Sequence, residues 1–286
     1  MTISKLRALY HKNICKDLLR IRKNATKGDY PNNADGDSKI SVKIAWGIIE
    51  SLSSQPLYGN ISGQEAGNIF EEKTKEFLEK SFELFNHIRP GKWLYSMNTS
   101  ISEFDQYRDL ASIDLIIKNN KELASTLGQD YLISPDIVIG REPVTEIELN
   151  KNKSIIKLKD SSAKLTPLRS SNYKLVKPIL HASISCKWTL RSDRGQNART
   201  EALNLIRNRK GNLPHIVAVT AEPTATRIAS LALGTGDIDC VYHFALNELV
   251  DTLNKLGDES QLDMLNTLVE GRRLRDISDL PFDLAI

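Results

Sequence analysis

Three charged side chains stand where a strand or helix boundary would hold them for chemistry. Asp136 follows Pro135 at the head of the β-branched run "DIVIG", Lys187 closes the alternating run "HASISCK", and Glu201 follows on the next segment. If the two runs are neighbouring strands, Asp136 and Lys187 can face each other across a sheet, and the following helix can return Glu201 to the same place. Two carboxylates and an ammonium at one sheet edge suit metal-assisted phosphodiester cleavage. Magnesium takes hard oxygen ligands and keeps several waters, so one or two carboxylates suffice. The ion polarises the phosphate and lowers the pKa of bound water, while the lysine orients the attacking water and offsets charge gained at phosphorus. Cys186, the residue before Lys187, matters here for its backbone oxygen. Its thiol is the weaker idea as nucleophile, because His181, five residues earlier on an alternating strand, faces the opposite side.

Each of these residues also has a plainer reading. Asp136 suits the start of a strand, Lys187 a solvated strand end, and Glu201 the first turn of a helix, where the dipole favours an acid. What sharpens the set is the segment between them. From Lys187 to Lys210 the chain carries a surplus of five positive charges, more than the net +3 of the whole sequence. Such a local patch suits a polyphosphate partner, although a solvated helix face would carry it too.

The elements that must position these residues follow from periodicity. Helices are expected over residues 3–22, 40–53, about 64–87, about 102–126, about 197–209, "TATRIASLAL" and "LNELVDTLNKLG". The segment 24–38 is rich in Gly, Asn, Asp and Pro and reads as a loop. Strands are expected at "DIVIG", "TEIELN", 179–188, "PHIVAVTAE" and "DCVYHFA", with an irregular excursion over 151–178. Strand, helix, strand, helix, strand in that order implies right-handed crossovers and a largely parallel sheet at that end. The expectation is therefore an α/β protein with a central mixed sheet flanked by helices, forming one domain over 1–286. Its helical N-terminal part spans about 1–127, the sheet core about 128–255, and a helical or extended tail about 256–286.

Composition is that of a soluble globular chain, with 40% hydrophobic and 26% charged residues. No apolar run approaches the roughly 20 residues of a membrane span, and the N-terminus carries both signs of charge, unlike a signal peptide. A cytoplasmic protein with no membrane partner is expected. Cys15, Cys186 and Cys240 are scattered and odd in number, which argues against a zinc site or a disulfide framework. Burial as small apolar residues is the expectation for Cys15 and Cys240. Trp93 and Trp188 read as packing residues, and His11, His87, His215 and His243 show no ligand pairing.

The segment "SISCKWTLRSDRGQNARTEALNLIRNRKG" resembles the catalytic and recognition segment of the PD-(D/E)XK type II restriction endonucleases that read a CCGG core. The likeness continues through "LPHIVAVTAEPTATRIASLALGTGDIDCVYHFAL" to "RRLRDISDLPFDLAI", and includes "NADG", "GQEAGNIFE", "HIRPGKW" and "SPDIVIGRE". It covers most of the chain and is weakest in the first 30 residues and across 145–175. The resemblance implies a restriction-endonuclease-like core in which Asp136, Lys187 and Glu201 are catalytic. Ser185 occupies the place where the wider superfamily keeps its own carboxylate, moved in this subgroup onto the following helix. Glu71 matches a further active-site carboxylate, chosen over Glu72 and Glu76 on "GN-x-FE". The implied metal set is Asp136, Glu201, Glu71 and the Cys186 backbone oxygen, with Mg2+ as cofactor.

The same resemblance assigns base reading. Arg191, Asp193 and Arg194 match the readers of the central CCGG, and arginine on guanine with aspartate on cytosine is sound major-groove chemistry. Arg227 and Asp35 match readers of an outer G·C pair, which extends the site to GCCGGC, and Gln64 matches a minor-groove contact. The 50 residues that lie between Asp136 and Lys187 include a poorly matched segment and leave contacts outside the core open. The implied partners are double-stranded DNA, further copies of the chain as a dimer of dimers, and a cognate DNA methyltransferase. A palindromic target requires at least a twofold dimer. Two other readings stay beside this one: a nuclease of the same fold that reads DNA structure in repair or recombination, and a non-catalytic DNA-binding protein. The aspartate within the basic cluster opposes the first, and the intact Asp136, Lys187, Glu201 set opposes the second.

Overall fold

The structure, a computed structural model, describes residues 1–127, 132–157, 160–172, 176–190, 192–234 and 236–286, with backbone alone at 126, 127, 172 and 192–194. In chain order its elements are α1 (Ile3–Asp17), β1 (Arg20–Arg22), β2 (Tyr30–Pro31), α2 (Lys39–Ser51), β3 (Leu57–Tyr58), α3 (Gly63–Phe82), β4 (Trp93–Met97), α4 (Leu110–Lys118), α5 (Lys121–Leu127), β5 (Ile137–Arg141), α6 (Glu146–Leu149) and β6 (Ile179–Lys187). Then follow α7 (Ser192–Asn208), β7 (His215–Thr220), α8 (Ala225–Ala232), β8 (Cys240–His243), α9 (Leu246–Leu256), α10 (Glu259–Glu270), β9 (Leu274–Asp276) and α11 (Leu280–Asp283). The strands form a three-stranded sheet, β2-β1-β3, and a six-stranded mixed sheet, β4-β5-β6-β7-β8-β9. The protein is thus mixed α/β, as the sequence implies. No helix among the described residues is long and apolar enough to cross a membrane.

The chain divides into two compact units. One comprises Met1–Pro90, Ile184–Leu203 and Ile216–Ile286, and the other Gly91–Ser183 and Asn204–His215.

In the first unit, α1 is capped by the Thr2 hydroxyl and buries Leu6, Tyr10 and Ile14. It stops at Asp17, short of the expected residue 22. Leu18 and Leu19 are fully buried, and the chain extends into β1, which pairs antiparallel with β2 and parallel with β3. β2 also inserts a short strand into the expected loop. Along α3, Phe70, Phe77, Leu78 and Phe82 form the buried stripe that the spacing predicts, but the helix gives way after Phe82 to a 3-10 turn at Glu83–Phe85. α2 packs on α9 where Gly47 meets Thr252, and a Cβ at Gly47 would collide with that side chain. β7 and β8 run parallel, as do β8 and β9. From Ile216 to Thr220 every β7 residue is buried, and each large apolar side chain so placed is worth about 1.5–3 kcal/mol. β9 completes the parallel end of the sheet in a tail expected to hold only helix or extended chain. Cys15 and Cys240 are buried, as is Cys186.

In the second unit, β4 pairs antiparallel with β5, from Trp93 opposite Arg141 to Met97 opposite Ile137. This strand falls between the helices expected at about 64–87 and about 102–126, in the N-terminal part expected to be dominated by helices. The single helix expected over 102–126 breaks into 3-10 turns at Ile101–Glu103 and Asp105–Tyr107, then α4 and α5. Tertiary hydrogen bonds account for the break. The Gln106 amide bonds both the carbonyl (2.7 Å) and the N–H (2.9 Å) of Leu180, and the Tyr107 hydroxyl donates to Leu205 O at 3.0 Å. "TEIELN" is not a strand. Its Thr145 and Glu148 form a reciprocal capping box that opens the short helix α6, and that local pairing outweighs the alternation.

Candidate active site and recognition cleft

Within the first unit, Ser185, Cys186 and Lys187 form the end of β6. Alternation puts Ser185 and Lys187 on one face and buries Cys186 on the other. The strand end is fixed through the Lys187 carbonyl, which accepts from the Thr220 hydroxyl at 2.8 Å and from Ala221 N–H at 3.2 Å. Trp188, next in the chain, is buried, with its ring edge-on to Phe70 at 5.3 Å and tilted against Phe244 at 5.9 Å. The Phe70 contact brings α3 against the end of β6, and Glu71 is the residue that follows Phe70.

Glu71 is buried, in line with Thr74 and Leu78 on the inner face of α3, whereas Glu72 is exposed and lies 3.8 Å from Lys73. Glu76 also faces Lys73, at 3.7 Å. Glu201 stands on α7 three residues after Ala198 and four before Leu205, both buried, so it borders the inner face of that helix. The oxygen-rich character of Glu71, Glu201 and the β6 carbonyls fits a hard divalent cation. Among the described residues no three His, Cys, Asp or Glu side chains already stand together as a metal site. Asp136 belongs to the second unit, one residue before β5, where its carbonyl accepts from Asn98 N–H at 3.4 Å.

The residues expected to read bases divide by location. Arg191 lies outside the described residues. Asp193 and Arg194 fall in the first turn of α7, which begins at Ser192, five residues before the expected start. Gln64 is exposed at the N-terminal end of α3, where its amide donates to Asn68 at 3.0 Å. Asp35 and Arg227 are brought together. They form an ion pair in which each side chain remains about a third exposed, and Asp35 also accepts from Asp37 N–H at 3.0 Å. They line an open cleft of about 900 Å³ that also meets Gly36, Thr189, Gln196 and Thr226.

Part of the expected basic surplus is met by the protein itself and not by a ligand. Arg199 is neutralised within the chain. Its guanidinium donates to the carbonyls of Ser230, Leu231 and Leu233 at the C-terminal end of α8, and Asp237 lies 3.8 Å away. A cation there also suits the negative end of the helix dipole. Lys210 likewise pairs with Asp109 in the second unit.

Sequence reasoning passed over Glu222. It is buried, and its carboxylate accepts from Leu190 N–H, Thr224 N–H and the Thr224 hydroxyl. Burial pushes its carboxyl above the ordinary glutamate value, while the Thr224 and Leu190 donors pull it down. The only signal was an acid in the otherwise apolar and small run "IVAVTAEPTA".

Comparison with known proteins agrees over nearly the whole chain. A family model described as NgoMIV restriction enzyme matches residues 10–286. The type II restriction enzyme NgoMIV of Neisseria gonorrhoeae is 49% identical over 260 residues, covering 89% of this chain and 90% of that relative. Among solved structures, a restriction endonuclease PspGI–substrate DNA complex aligns with 78% of this chain and 61% of its own, at 16% identity and a TM-score of 0.36. Residues 10–286 and the close relative together place the chain in the NgoMIV restriction enzyme family, as a type II restriction enzyme and hence a sequence-specific endonuclease of double-stranded DNA.

Proposed function

We propose that the enzyme cleaves a palindrome with a CCGG core, GCCGGC, after its first G to leave four-base 5′ overhangs, in a magnesium-dependent reaction. The observation that carries the specificity is the Arg227–Asp35 pair. A G·C pair presents two acceptors on guanine, O6 and N7, beside a donor on cytosine, N4. An arginine and an aspartate side by side offer the complementary set, and they remain partly open to an incoming base pair. Arg191, Asp193 and Arg194 read the core by the same chemistry, and Gln64 reaches the minor groove.

The Asp136, Glu71 and Glu201 carboxylates and the Cys186 carbonyl would hold the ion, which when bound supplies charge neutralisation at the scissile phosphate. Lys187 donates a hydrogen bond to the attacking water and offsets the negative charge that grows on the phosphoryl oxygens. Its strand end is held in place by Thr220 and Ala221. Ser185 lies on the same strand face as Lys187 and leaves the superfamily's carboxylate role to Glu201. In-line attack then leaves a 5′-phosphate and a 3′-hydroxyl. Two back-to-back dimers each engage one site, the enzyme works in the cytoplasm, and a partner methyltransferase protects the host's own sites.

The test is digestion of two supercoiled plasmids with Mg2+, one bearing a single GCCGGC and one bearing two. Cutting at those sites, faster on the two-site plasmid, supports the site and the tetramer. Equal rates remove the tetramer. Cutting at CCGG in other contexts removes the outer-pair assignment, and binding without cutting favours the non-catalytic reading.

A further inference from the structure

The turn between β7 and α8 holds three elements at once. Its Glu222 is 1% exposed. One carboxylate oxygen, Oε2, accepts from Leu190 N–H at 3.0 Å, and Leu190 is the residue directly before Arg191. The other, Oε1, accepts from the Thr224 hydroxyl at 2.6 Å and from Thr224 N–H at 3.3 Å. Thr224 is the N-cap of α8, and its carbonyl accepts from Arg227 N–H at 3.1 Å. The Glu222 backbone N–H donates to the Thr220 hydroxyl at 3.1 Å, which itself donates to the Lys187 carbonyl. A buried carboxylate costs several kcal/mol unless its lone pairs are met, so its retention between two loops implies a task for both.

We infer that Glu222 is a positioning residue that couples the two base-reading elements, the segment entering Arg191 and the helix carrying Arg227, to each other and to the strand end that carries Lys187. This rests on the base-reading assignment above and deepens it. The side chain touches no DNA. It fixes the register in which the core readers and the outer reader meet one duplex. A wrong base pair at either position then disturbs the same hydrogen-bonded turn, and through Thr220 the placement of Lys187. A second contact works in the same direction: the Arg199 guanidinium of α7 grips the far end of α8, seated against Gly234. α8 is thereby held at both ends, by Glu222 at its start and by Arg199 from the middle of α7 at its finish.

The experiment compares Glu222→Gln, Glu222→Asp and Thr224→Val with the parent enzyme. Single-turnover cleavage is measured on GCCGGC duplexes and on duplexes changed at the outer pair or at a core pair. Glu222→Gln keeps the shape but replaces one acceptor with a donor. The expected result is a loss of discrimination of about tenfold at both outer and core positions together, with a thermal melt that still shows a folded protein. Partial recovery is expected in Glu222→Asp, and Thr224→Val should lose more at the outer pair than at the core while touching both. A rate that drops equally on all duplexes, or discrimination lost at the outer pair alone, overturns the coupling. Should Glu222→Gln not fold, Thr224→Val decides: a loss of discrimination at the outer pair accompanied by a smaller loss at the core supports the coupling, and a loss at the outer pair alone, or none, overturns it. Arg194→Ala and Arg227→Ala run in parallel separate the two levels. If neither alters preference at its own position, the base-reading assignment has failed. If both do while Glu222→Gln leaves discrimination intact, only the coupling has failed.

Discussion

Arg227 and Asp35, 192 residues apart in sequence, form an ion pair at the wall of an open cleft. Each is the other's partner in the free protein, so neither enters DNA binding as an uncompensated charge. If the pair reads the outer base pair as proposed, a G·C pair would swap one hydrogen-bonded set for another, whereas an A·T pair would leave the aspartate facing the wrong group.

Substituting either member should therefore act on the outer position. Arg227→Ala and Asp35→Asn are each expected to reduce the preference for GCCGGC over ACCGGT by roughly 10–100-fold, the equivalent of about 1–3 kcal/mol. Preference at the core should stay unchanged. Cleavage rates on the two duplexes measure it; an unaltered ratio would move outer-pair reading to another part of the cleft.

Arg194→Ala should lower discrimination at one core base pair and leave the outer preference intact. Binding measured across a salt series separates this from phosphate contact. A variant that lost affinity equally for all sequences, with a shallower salt dependence, would identify Arg194 as a backbone contact.

The glutamates of α3 make a matched comparison. Glu71 is buried on the inner face of α3, while Glu72 is exposed beside Lys73. Glu71→Gln is expected to slow cleavage at saturating Mg2+ by about 10-fold or more, and Glu72→Gln to leave it near the parent rate. Asp136→Ala should abolish cutting yet retain specific binding in Ca2+. Residual Mg2+-dependent cutting by that variant would show that another carboxylate serves.

Gly234→Ala tests the clamp between α7 and α8. The added Cβ would displace the Arg199 guanidinium from the α8 carbonyls, so the expected cost is that of the lost contact, about 0.5–1.5 kcal/mol of stability. Denaturant unfolding reads that directly. Arg199→Met should give a comparable loss that is not additive with the first, because both remove one contact.

Acid should weaken the fold before carboxylates titrate. His243 is fully buried, and burial lowers its pKa from 6.5 to about 4. Its Nε2 faces the Glu222 carbonyl and its Nδ1 accepts from Ala245 N–H, so the neutral ring is the one that fits. The unfolded chain takes up a proton below pH 6.5 and the folded one only near pH 4, so stability falls across that window as pH drops, by about 3 kcal/mol. His11, also lowered by burial, adds in the same direction. Unfolding curves from pH 7.5 to 4.5 should show this slope, and His243→Gln should flatten it.

Much of the sheet core was legible because long apolar runs with strand or helix period leave few choices. β6, β7, β8, α8 and α9 lie close to where "HASISCK", "HIVAVT", "CVYH", "TRIAS" and "LNELVDTL" place them. The misses share a cause. β4 is a five-residue strand whose identity comes from pairing with β5, and β9 is three residues long and defined by β8. Such elements have no period of their own to read. α6 was the opposite case, since "TEIE" alternates but also spells a capping box. The early start of α7 places Asp193 and Arg194 on a helix; the charges there drew attention to a ligand and away from Ser192 as a helix start. The basic surplus was real in sequence, yet Arg199 spends its charge on α8 carbonyls, which no count of charges can show. Which α3 glutamate is buried was likewise settled only by packing.

The Arg7 guanidinium of α1 bonds Glu248 on α9 at 2.6–2.9 Å and Asp276 on β9 at 2.8 Å. For the ribosome this is an ordering constraint. The first helix emerges long before either acceptor exists, and the strand bearing Lys187 emerges while β8 and β9 are still untranslated. Contacts of such sequence separation form late and slowly. A nascent or truncated chain ending before Leu274 lacks both β9 and one anchor of α1. The three-way contact of α1, α9 and β9 is therefore completed only with the last strand of the six-stranded sheet, after every other strand has been made.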